Sequence, residues 1–193
     1  MTDRYRDETP WSERLAKGHR AGARGRNRDR AVNCGPRQDL PDRRRPRRYS
    51  TEIYRIENKP LSVTVCLKLG TPAVLHHLAD IVVEVMREKA EKAHVRLHAY
   101  CLMPDHMHII CSVDRQYGDF PLFMRTLKRE AGRRIHKNGE AQFAWQRDYW
   151  DRFILKDENV IEAINYVLGN PVRRGLCERA EDWPASEHMG WAG

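Results

Sequence analysis

The fold is decided by residues 99–113, which read AYCLMPDHMHIICSV. Two apolar, strand-like runs flank Pro104 and Asp105, residue types that favour tight turns, so the stretch predicts a β-hairpin. Successive side chains of a strand point to opposite faces, which places His106 and His108 on the same face of the second strand. Two neighbouring imidazoles could ligate a metal ion, although histidines on strands more often have structural roles.

Hydrophobic periodicity on either side of this hairpin predicts the other elements. A first strand over Leu61–Leu69 alternates and is rich in β-branched residues, and Thr71 and Pro72 are typical of the start of the next helix. Residues 49–60 fit an edge strand or a loop, and the chain after residue 171 looks irregular. In chain order we expect a helix over 73–93, strands over 95–103 and 106–113, a helix over 120–137, a strand within 143–154, and a helix over 158–168 with Asp157 as its N-cap.

The order strand, helix, strand, strand, helix, strand is typical of an α+β fold. It predicts a ferredoxin-like βαββαβ antiparallel sheet with both helices on one face and the other face open. The last helix, which carries Tyr166, is an addition to this pattern towards the C-terminus. Folds of this kind host many activities, so the function must be argued from the site.

Positive charge is concentrated at the N-terminal end of the 193-residue chain. Residues 1–50 hold 15 Lys and Arg against 7 Asp and Glu, whereas the other 143 residues hold 20 of each. Residues 1–48 are poor in apolar side chains and are predicted to be a disordered, Arg-rich extension that could bind a polyanion. We expect one domain over residues 49–186 and a C-terminal tail over 187–193.

Composition also bears on the compartment. The sequence has no run of 18 apolar residues, and its first residues lack the apolar core of a signal peptide, so we expect neither a membrane partner nor export. Five cysteines without CxxC spacing argue against a disulfide framework and against a cysteine-rich zinc site. A reducing, cytoplasmic setting is the expectation.

The predicted helix over 120–137 is strongly basic. Its cations surround an apolar side, and Glu130 is the one acidic residue within the helix. Such a patch could neutralise several phosphates of a nucleic acid. The candidate DNA-binding residues on this helix are Arg125, Lys128, Arg129 and Arg133.

Tyr166 and Asn170 lie one turn apart on the last helix. If that helix crosses the open face of the sheet, Tyr166 could approach His106 and His108, and the Asn170 amide oxygen could be a third metal ligand. Two imidazoles and a neutral oxygen suit Mg²⁺ or Mn²⁺, and a tyrosine hydroxyl can form a covalent intermediate. Considered alone, a tyrosine or an asparagine at such a helical position more often has a structural role.

Three motifs together are similar to those of a known family. The stretch Tyr100–Ile110 resembles the HUH motif, which is a histidine, a hydrophobic residue and a histidine, of single-tyrosine transposases. The stretch Tyr166–Leu176 resembles the tyrosine motif of the REP-associated tyrosine transposases, and 145–154 and 182–184 also look like that family. The resemblance covers roughly residues 61–186, and three ordered motifs are far more specific than a lone H-x-H.

This resemblance implies a metal-dependent endonuclease acting on single-stranded hairpin DNA from repetitive extragenic palindromes (REP elements). By the family pattern, Tyr166 would attack a phosphodiester to form a 5′-phosphotyrosine link, and His106, His108 and Asn170 would hold Mg²⁺ or Mn²⁺. Basic residues near the tyrosine motif, Arg173 and Arg174, join the candidate DNA-binding set. The expected setting is the bacterial cytoplasm, at the nucleoid.

Two other functions remain open at this point. The domain could hold single-stranded nucleic acid without cutting it, or it could be a metal hydrolase that activates water while Tyr166 is only structural. A binding module leaves the joint presence of the two histidines, the tyrosine and the asparagine unexplained, and a hydrolase forms no covalent intermediate. The sequence is compatible with a monomer or a homodimer.

Overall fold

The structure, a computed structural model, describes residues 50–57, 59–73, 75–154 and 159–191. All of them belong to one compact unit. The predicted disordered extension over 1–48 and the predicted N-cap Asp157 lie outside the described residues. Within the described ranges no helix is long and apolar enough to cross a membrane.

Five strands and five α-helices are formed by the described residues. Two short 3₁₀ turns, at Leu75–Leu78 and Ala180–Asp182, complete them. The elements in chain order are α1 Thr51–Glu57, β1 Leu61–Cys66, α2 Ala79–Lys92, β2 Val95–Leu102, β3 His106–Val113, α3 Phe120–Lys137, β4 Trp150–Phe153, α4 Val160–Leu168, α5 Asn170–Arg173 and β5 Ser186–His188.

The strands form one antiparallel sheet in the order β4-β1-β3-β2-β5. Its first four strands have the predicted ferredoxin-like arrangement, and the prediction of an α+β fold with an added helix carrying Tyr166 is confirmed. β3 lies at the centre, and its register pairs His108 with Thr64 of β1 and with Cys101 of β2.

The two faces of the sheet have different partners. Alternate residues of β1 and β3, including Val63, Val65 and Ile109, are fully buried and face the helical layer of α2 and α3. His108 and Cys101 point to the opposite face, where Arg173, at the end of α5, lies close enough to act electrostatically on both. The helix carrying the tyrosine therefore packs on the face that also bears the histidines, against β2, β3 and β5.

Residues 49–60 were predicted to be an edge strand or a loop, but residues 51–57 form α1. The reason is a single aromatic anchor. The fully buried ring of Tyr54 lies 4.7 Å from that of Phe120 and 6.0 Å from that of Phe153, and its hydroxyl donates to Asp151 at 2.6 Å. One anchored turn of helix buries this ring without any need for pairing with the sheet.

The predicted junction between the first strand and the first helix is also corrected. β1 ends at Cys66 rather than Leu69: the Leu67 amide still donates to Asp105 at the turn before β3, but the Lys68 amide donates to the Ala144 carbonyl instead. Thr71 does not cap a helix; its hydroxyl donates to the Ala144 carbonyl at 3.3 Å. α2 begins only at residue 79, after the first 3₁₀ turn.

At the C-terminal end the structure differs from the prediction in α4 and in the segment after it. Asn159 caps α4 by accepting from the Ile161 amide at 2.9 Å, and only Ile164 and Val167 of its predicted apolar stripe are buried. The segment expected to be irregular forms β5, which pairs with Ala99–Cys101 of β2. β5 crosses the expected domain boundary at residue 186, and the Met189 amide still donates to the His98 carbonyl at 2.8 Å.

Candidate functional site

His106 and His108 turn their Nε2 atoms towards each other. The two nitrogens are 3.1 Å apart, and the rings meet edge to face with centroids 4.8 Å apart. The predicted sharing of one face by these side chains is thereby confirmed. His106 is 3% exposed and His108 is half-buried, so the pair lies partly covered at the start of the central strand.

Each imidazole is held from behind at its Nδ1 atom. Asp105 Oδ1 lies 2.6 Å from Nδ1 of His106, and the Thr64 hydroxyl lies 3.0 Å from Nδ1 of His108. A carboxylate accepts hydrogen bonds, so Nδ1 of His106 donates to Asp105, and when the ring is neutral its Nε2 presents a lone pair. A carboxylate behind a histidine is the arrangement that orients metal-ligating imidazoles in proteins.

The charge state of His108 favours ligation. Burial lowers the pKa of His108 to about 3, with further lowering by His106, Arg174 and Arg173, so the ring is neutral at physiological pH. With Thr64 as the acceptor of its Nδ1–H, both Nε2 lone pairs face each other and repel. Either a proton on one Nε2 or a cation near both atoms removes that repulsion.

The donor set fits a divalent ion. Two ligand nitrogens that each lie about 2.1 Å from one ion, at a right angle, are about 3 Å apart, close to the observed separation. Asp105 adds a second observation, because its Oδ2 atom is buried and has no hydrogen-bond partner in the described part of the chain. The described residues contain no group of three or more His, Cys, Asp or Glu side chains that could hold a metal, so a third ligand would have to be of another type.

Tyr166 and Asn170 lie on the helical segment that packs on this face. Gly169, between them, keeps right-handed helical angles (φ −77°, ψ −2°), so α4 and α5 follow one another almost as a single helix. Tyr166 is 54% exposed. Within the described residues no hydrogen bond or ring contact joins Tyr166 or Asn170 to either imidazole, so their roles stay predictions.

Arg173 connects the tyrosine with the asparagine. Its guanidinium carbon lies 3.9 Å from the centre of the Tyr166 ring, and its Nη2 donates to Asn170 Oδ1 at 2.9 Å and to the backbone carbonyl of Tyr166. The Asn170 amide nitrogen donates to the Val167 carbonyl at 3.0 Å. Both ends of the Asn170 amide are thus engaged within its own helical segment.

Arg174 brings the same segment to the histidines. Its Nη1 lies 3.5 Å from Asp105 Oδ1, the oxygen that also holds His106. The structure therefore joins the end of α5 to the histidine pair through Arg174 and Asp105. Sequence analysis assigned Asp105 only to the turn and did not single out Thr64; an acidic residue directly before the first histidine was the available signal.

The basic residues predicted on α3 lie on the other face of the sheet. We call the depression between α3 and the 143–149 segment the basic groove; it consists of two adjoining cavities of about 560 and 280 Å³. Its lining comprises Pro121, Met124, Arg125, Lys128, Arg129, Gly132, Arg133, His136, Phe143, Ala144, Trp145, Gln146, Arg147 and Tyr149. All four predicted DNA-binding residues of α3 are among them.

The cations of α3 differ in how freely they could meet a phosphate. Arg133 is paired with Glu130 at 2.5 Å, and Lys128 donates to the carbonyls of Gln146 and Arg147. Arg129 is exposed and has no ion pair within the described ranges. Acids of α2 that the sequence pattern did not connect with this patch, Glu84 and Glu88, pair with Arg134 at 2.9 and 2.7 Å.

The basic groove and the histidine pair lie at the same end of the sheet. The Gln146 amide donates to the Cys66 carbonyl at 2.9 Å, and Cys66 pairs with His106 across the other side of β1. One strand therefore separates the groove segment from the histidines. A chain-like ligand at this end of the sheet could meet both.

Comparisons with known proteins point to one family. A family model described as "Transposase IS200 like" matches residues 62–167, just over half of the chain. The chain is 26% identical over 109 residues to the REP-associated tyrosine transposase of Escherichia coli K12, covering 56% of this chain and 61% of that protein. It is 29% identical over 99 residues to a Haemophilus influenzae protein assigned to the same group, covering 46% and 56%.

A solved structure supports the fold assignment. It is described as a REP-associated tyrosine transposase bound to a REP hairpin, and it matches with a TM-score of 0.60 and 21% identity over 80% of this chain and 92% of that chain. The resemblance predicted from the motifs is confirmed by these matches. The chain spans less than two thirds of the length of the two curated relatives.

Proposed function

We propose that this chain, which belongs to the IS200-like transposase family, cuts single-stranded DNA by metal-dependent attack of Tyr166 on a phosphodiester. The observation that carries the proposal is the convergence of the His106 and His108 Nε2 atoms, each ring held from behind by a polar partner. The tyrosine required for covalent cleavage lies on the helix that packs on the same face.

In this proposal His106, His108 and Asn170 hold Mg²⁺ or Mn²⁺. The ion, when bound, polarises the scissile phosphodiester and stabilises negative charge on the leaving 3′-oxygen. Asp105 and Thr64 keep both Nε2 atoms directed at one point, so little reorganisation is needed on loading. Asn170 must turn its amide oxygen away from Arg173 to take part.

Tyr166 supplies the nucleophile. Its hydroxyl oxygen forms a bond to phosphorus while the bond from phosphorus to the 3′-oxygen breaks, which leaves a 5′-phosphotyrosine and a free 3′-hydroxyl. The proton lost by the phenol balances the proton gained by the 3′-oxygen.

Hairpin DNA is the proposed substrate, by analogy with the relative whose structure holds a REP hairpin. Arg173 lies at the Tyr166 ring and Arg174 lies at Asp105, and both are suited to the phosphates around the cut. The basic groove offers cations and the partly exposed Trp145 ring, a combination that suits an unpaired, backbone-tracking segment of nucleic acid. DNA as the partner would place the protein at the bacterial nucleoid.

Covalent capture tests the proposed reaction. A single-stranded hairpin oligonucleotide labelled at its 3′ end is incubated with the protein and Mn²⁺, and the products are separated on a denaturing gel. We expect the label to migrate with the protein and to be absent when EDTA is added. A metal hydrolase would release labelled fragments without any protein adduct, and a binding module would leave the oligonucleotide intact.

Arg129 tests the role of the basic groove. Arg129→Ala should weaken binding of single-stranded DNA several-fold and reduce the salt dependence of log K by about one phosphate contact. Arg115, an exposed arginine in the loop after β3, provides the matched control, because Arg115→Ala removes the same charge away from the groove. Fluorescence anisotropy at several salt concentrations gives both slopes, and equal losses in the two variants would contradict a role for this groove.

A further inference from the structure

The guanidinium of Arg173 contacts two groups that the proposed reaction needs. It covers the Tyr166 ring at 3.9 Å and holds Asn170 Oδ1, the proposed third ligand atom, at 2.9 Å. It also donates to the backbone carbonyl of Tyr166. One exposed side chain thus holds the nucleophile and the ligand in a single arrangement.

Gly169 makes room for this arrangement. A Cβ atom at position 169 would lie 2.8 Å from Arg173 Nη1, 3.2 Å from the Asn165 carbonyl oxygen and 3.9 Å from Arg173 Cζ, so the guanidinium is the nearest group and the one that can move. The backbone angles at Gly169 are right-handed helical, so its conformation does not require glycine. The close approach of the guanidinium is therefore what the missing side chain permits.

An arginine in this place opposes metal binding. An ion about 2.1 Å from Asn170 Oδ1 would lie within about 5 Å of the Nη2 atom, where like charges repel even in water. A DNA phosphate is a stronger partner for a guanidinium than an amide oxygen or an aromatic ring.

We propose that Arg173, seated over Gly169, is a positioning residue that holds Tyr166 and Asn170 in a resting state until a DNA phosphate draws the guanidinium away. Departure of Arg173 frees Asn170 Oδ1 for the ion and the Tyr166 ring for the scissile phosphate. Metal loading and substrate binding are coupled in this way. The inference rests on the proposed function, in which Asn170 is a metal ligand.

Mn²⁺ titration of the metal-free full-length protein, followed by the EPR signal of free Mn²⁺, tests the coupling without DNA. Arg173→Ala and Gly169→Ala should each bind Mn²⁺ roughly tenfold more tightly than the unaltered protein, since each removes the guanidinium from Asn170. Gly169→Ala keeps every charge of the chain, so a change in its Mn²⁺ affinity reports the position of the Arg173 guanidinium rather than the loss of its charge. Gly132→Ala is the matched control for this titration without DNA, because a Cβ there comes no closer than 4.0 Å to its nearest neighbour, Trp145 Cδ1, and lies on the opposite face of the sheet from the histidines.

Failure of this inference and failure of the proposed metal site give different results. If His106→Ala binds Mn²⁺ as well as the unaltered protein, the metal site is wrong and the inference falls with it. If His106→Ala loses Mn²⁺ but Arg173→Ala and Gly169→Ala bind no more tightly than the unaltered protein, the metal site stands and the holding role of Arg173 is refuted. Tightening in Arg173→Ala alone would show a general charge effect and would also refute it.

The Tyr166 ring provides a second readout that does not involve metal. In protein labelled with 3-fluorotyrosine, the ¹⁹F resonance missing from Tyr166→Phe identifies this ring. Both Arg173→Ala and Gly169→Ala should shift that resonance, because the cation leaves the face of the ring. An unshifted resonance in either variant would contradict the arrangement on which the inference depends.

Discussion

Replacement of Tyr166 by phenylalanine should abolish the covalent DNA adduct, lowering its rate of formation by more than about a thousandfold, because no other group takes over from a removed nucleophile. Binding of the hairpin should persist. Phenylalanine keeps the ring that Arg173 covers, and the exposed position of Tyr166 makes the loss of one hydroxyl harmless to the fold. Denaturing gels measure the adduct, and anisotropy measures binding.

Tyr117 provides the matched control for this substitution. It is 59% exposed, comparable with Tyr166, and its ring contacts only His94 among the described aromatic residues, at 5.6 Å between centroids. Tyr117→Phe should form the adduct at the unaltered rate. An adduct of normal yield in Tyr166→Phe would remove Tyr166 from the mechanism.

His106→Ala should remove detectable Mn²⁺ binding and, with it, cleavage of the oligonucleotide. Its Nε2 is one of only two convergent nitrogens, and its buried position offers no substitute side chain within the described residues.

Asp105→Asn should have a graded effect, with Mn²⁺ affinity falling about ten- to a hundredfold, because the amide orients the imidazole less well than the carboxylate. Calorimetric titration measures both.

His188 serves as the control for the histidine substitution, since it is exposed on β5 and β2 separates it from β3. His188→Ala should bind Mn²⁺ like the unaltered protein. Retained affinity in His106→Ala, or equal losses in His106→Ala and His188→Ala, would contradict a metal site at the paired imidazoles. Melting curves by circular dichroism separate these losses from unfolding.

The strongest sequence patterns predicted element bounds correctly. β3 and α3 occupy the residues predicted for them. The side chains of β3 point alternately to the two faces of the sheet, and most of them are buried. α3 carries a clear apolar stripe, and the Asp119 side chain caps its N-terminus. α1 was missed because its stability comes from one distant contact set around Tyr54 rather than from periodicity. β5 was missed for a similar reason: three residues carry no pattern, and only the free edge of β2 makes them a strand.

The candidate site also combines features that the sequence predicts with contacts that depend on tertiary structure. The shared face of His106 and His108 follows from the period of a strand and needed no tertiary information. The partner of His108, Thr64, lies 44 residues away and depends on the register of β1 against β3. The contacts of Arg173 depend on the space above Gly169, which no local pattern describes.

β5 has a consequence for how the sheet meets other chains. Unpaired backbone groups at a sheet edge are templates for pairing with foreign strands, and proteins reduce this hazard with very short edge strands. The sheet ends in β4, with four residues, and β5, with three, and β5 covers Ala99–Cys101, the part of β2 nearest His108. The backbone next to the histidine pair is thereby protected from capture by an extended peptide.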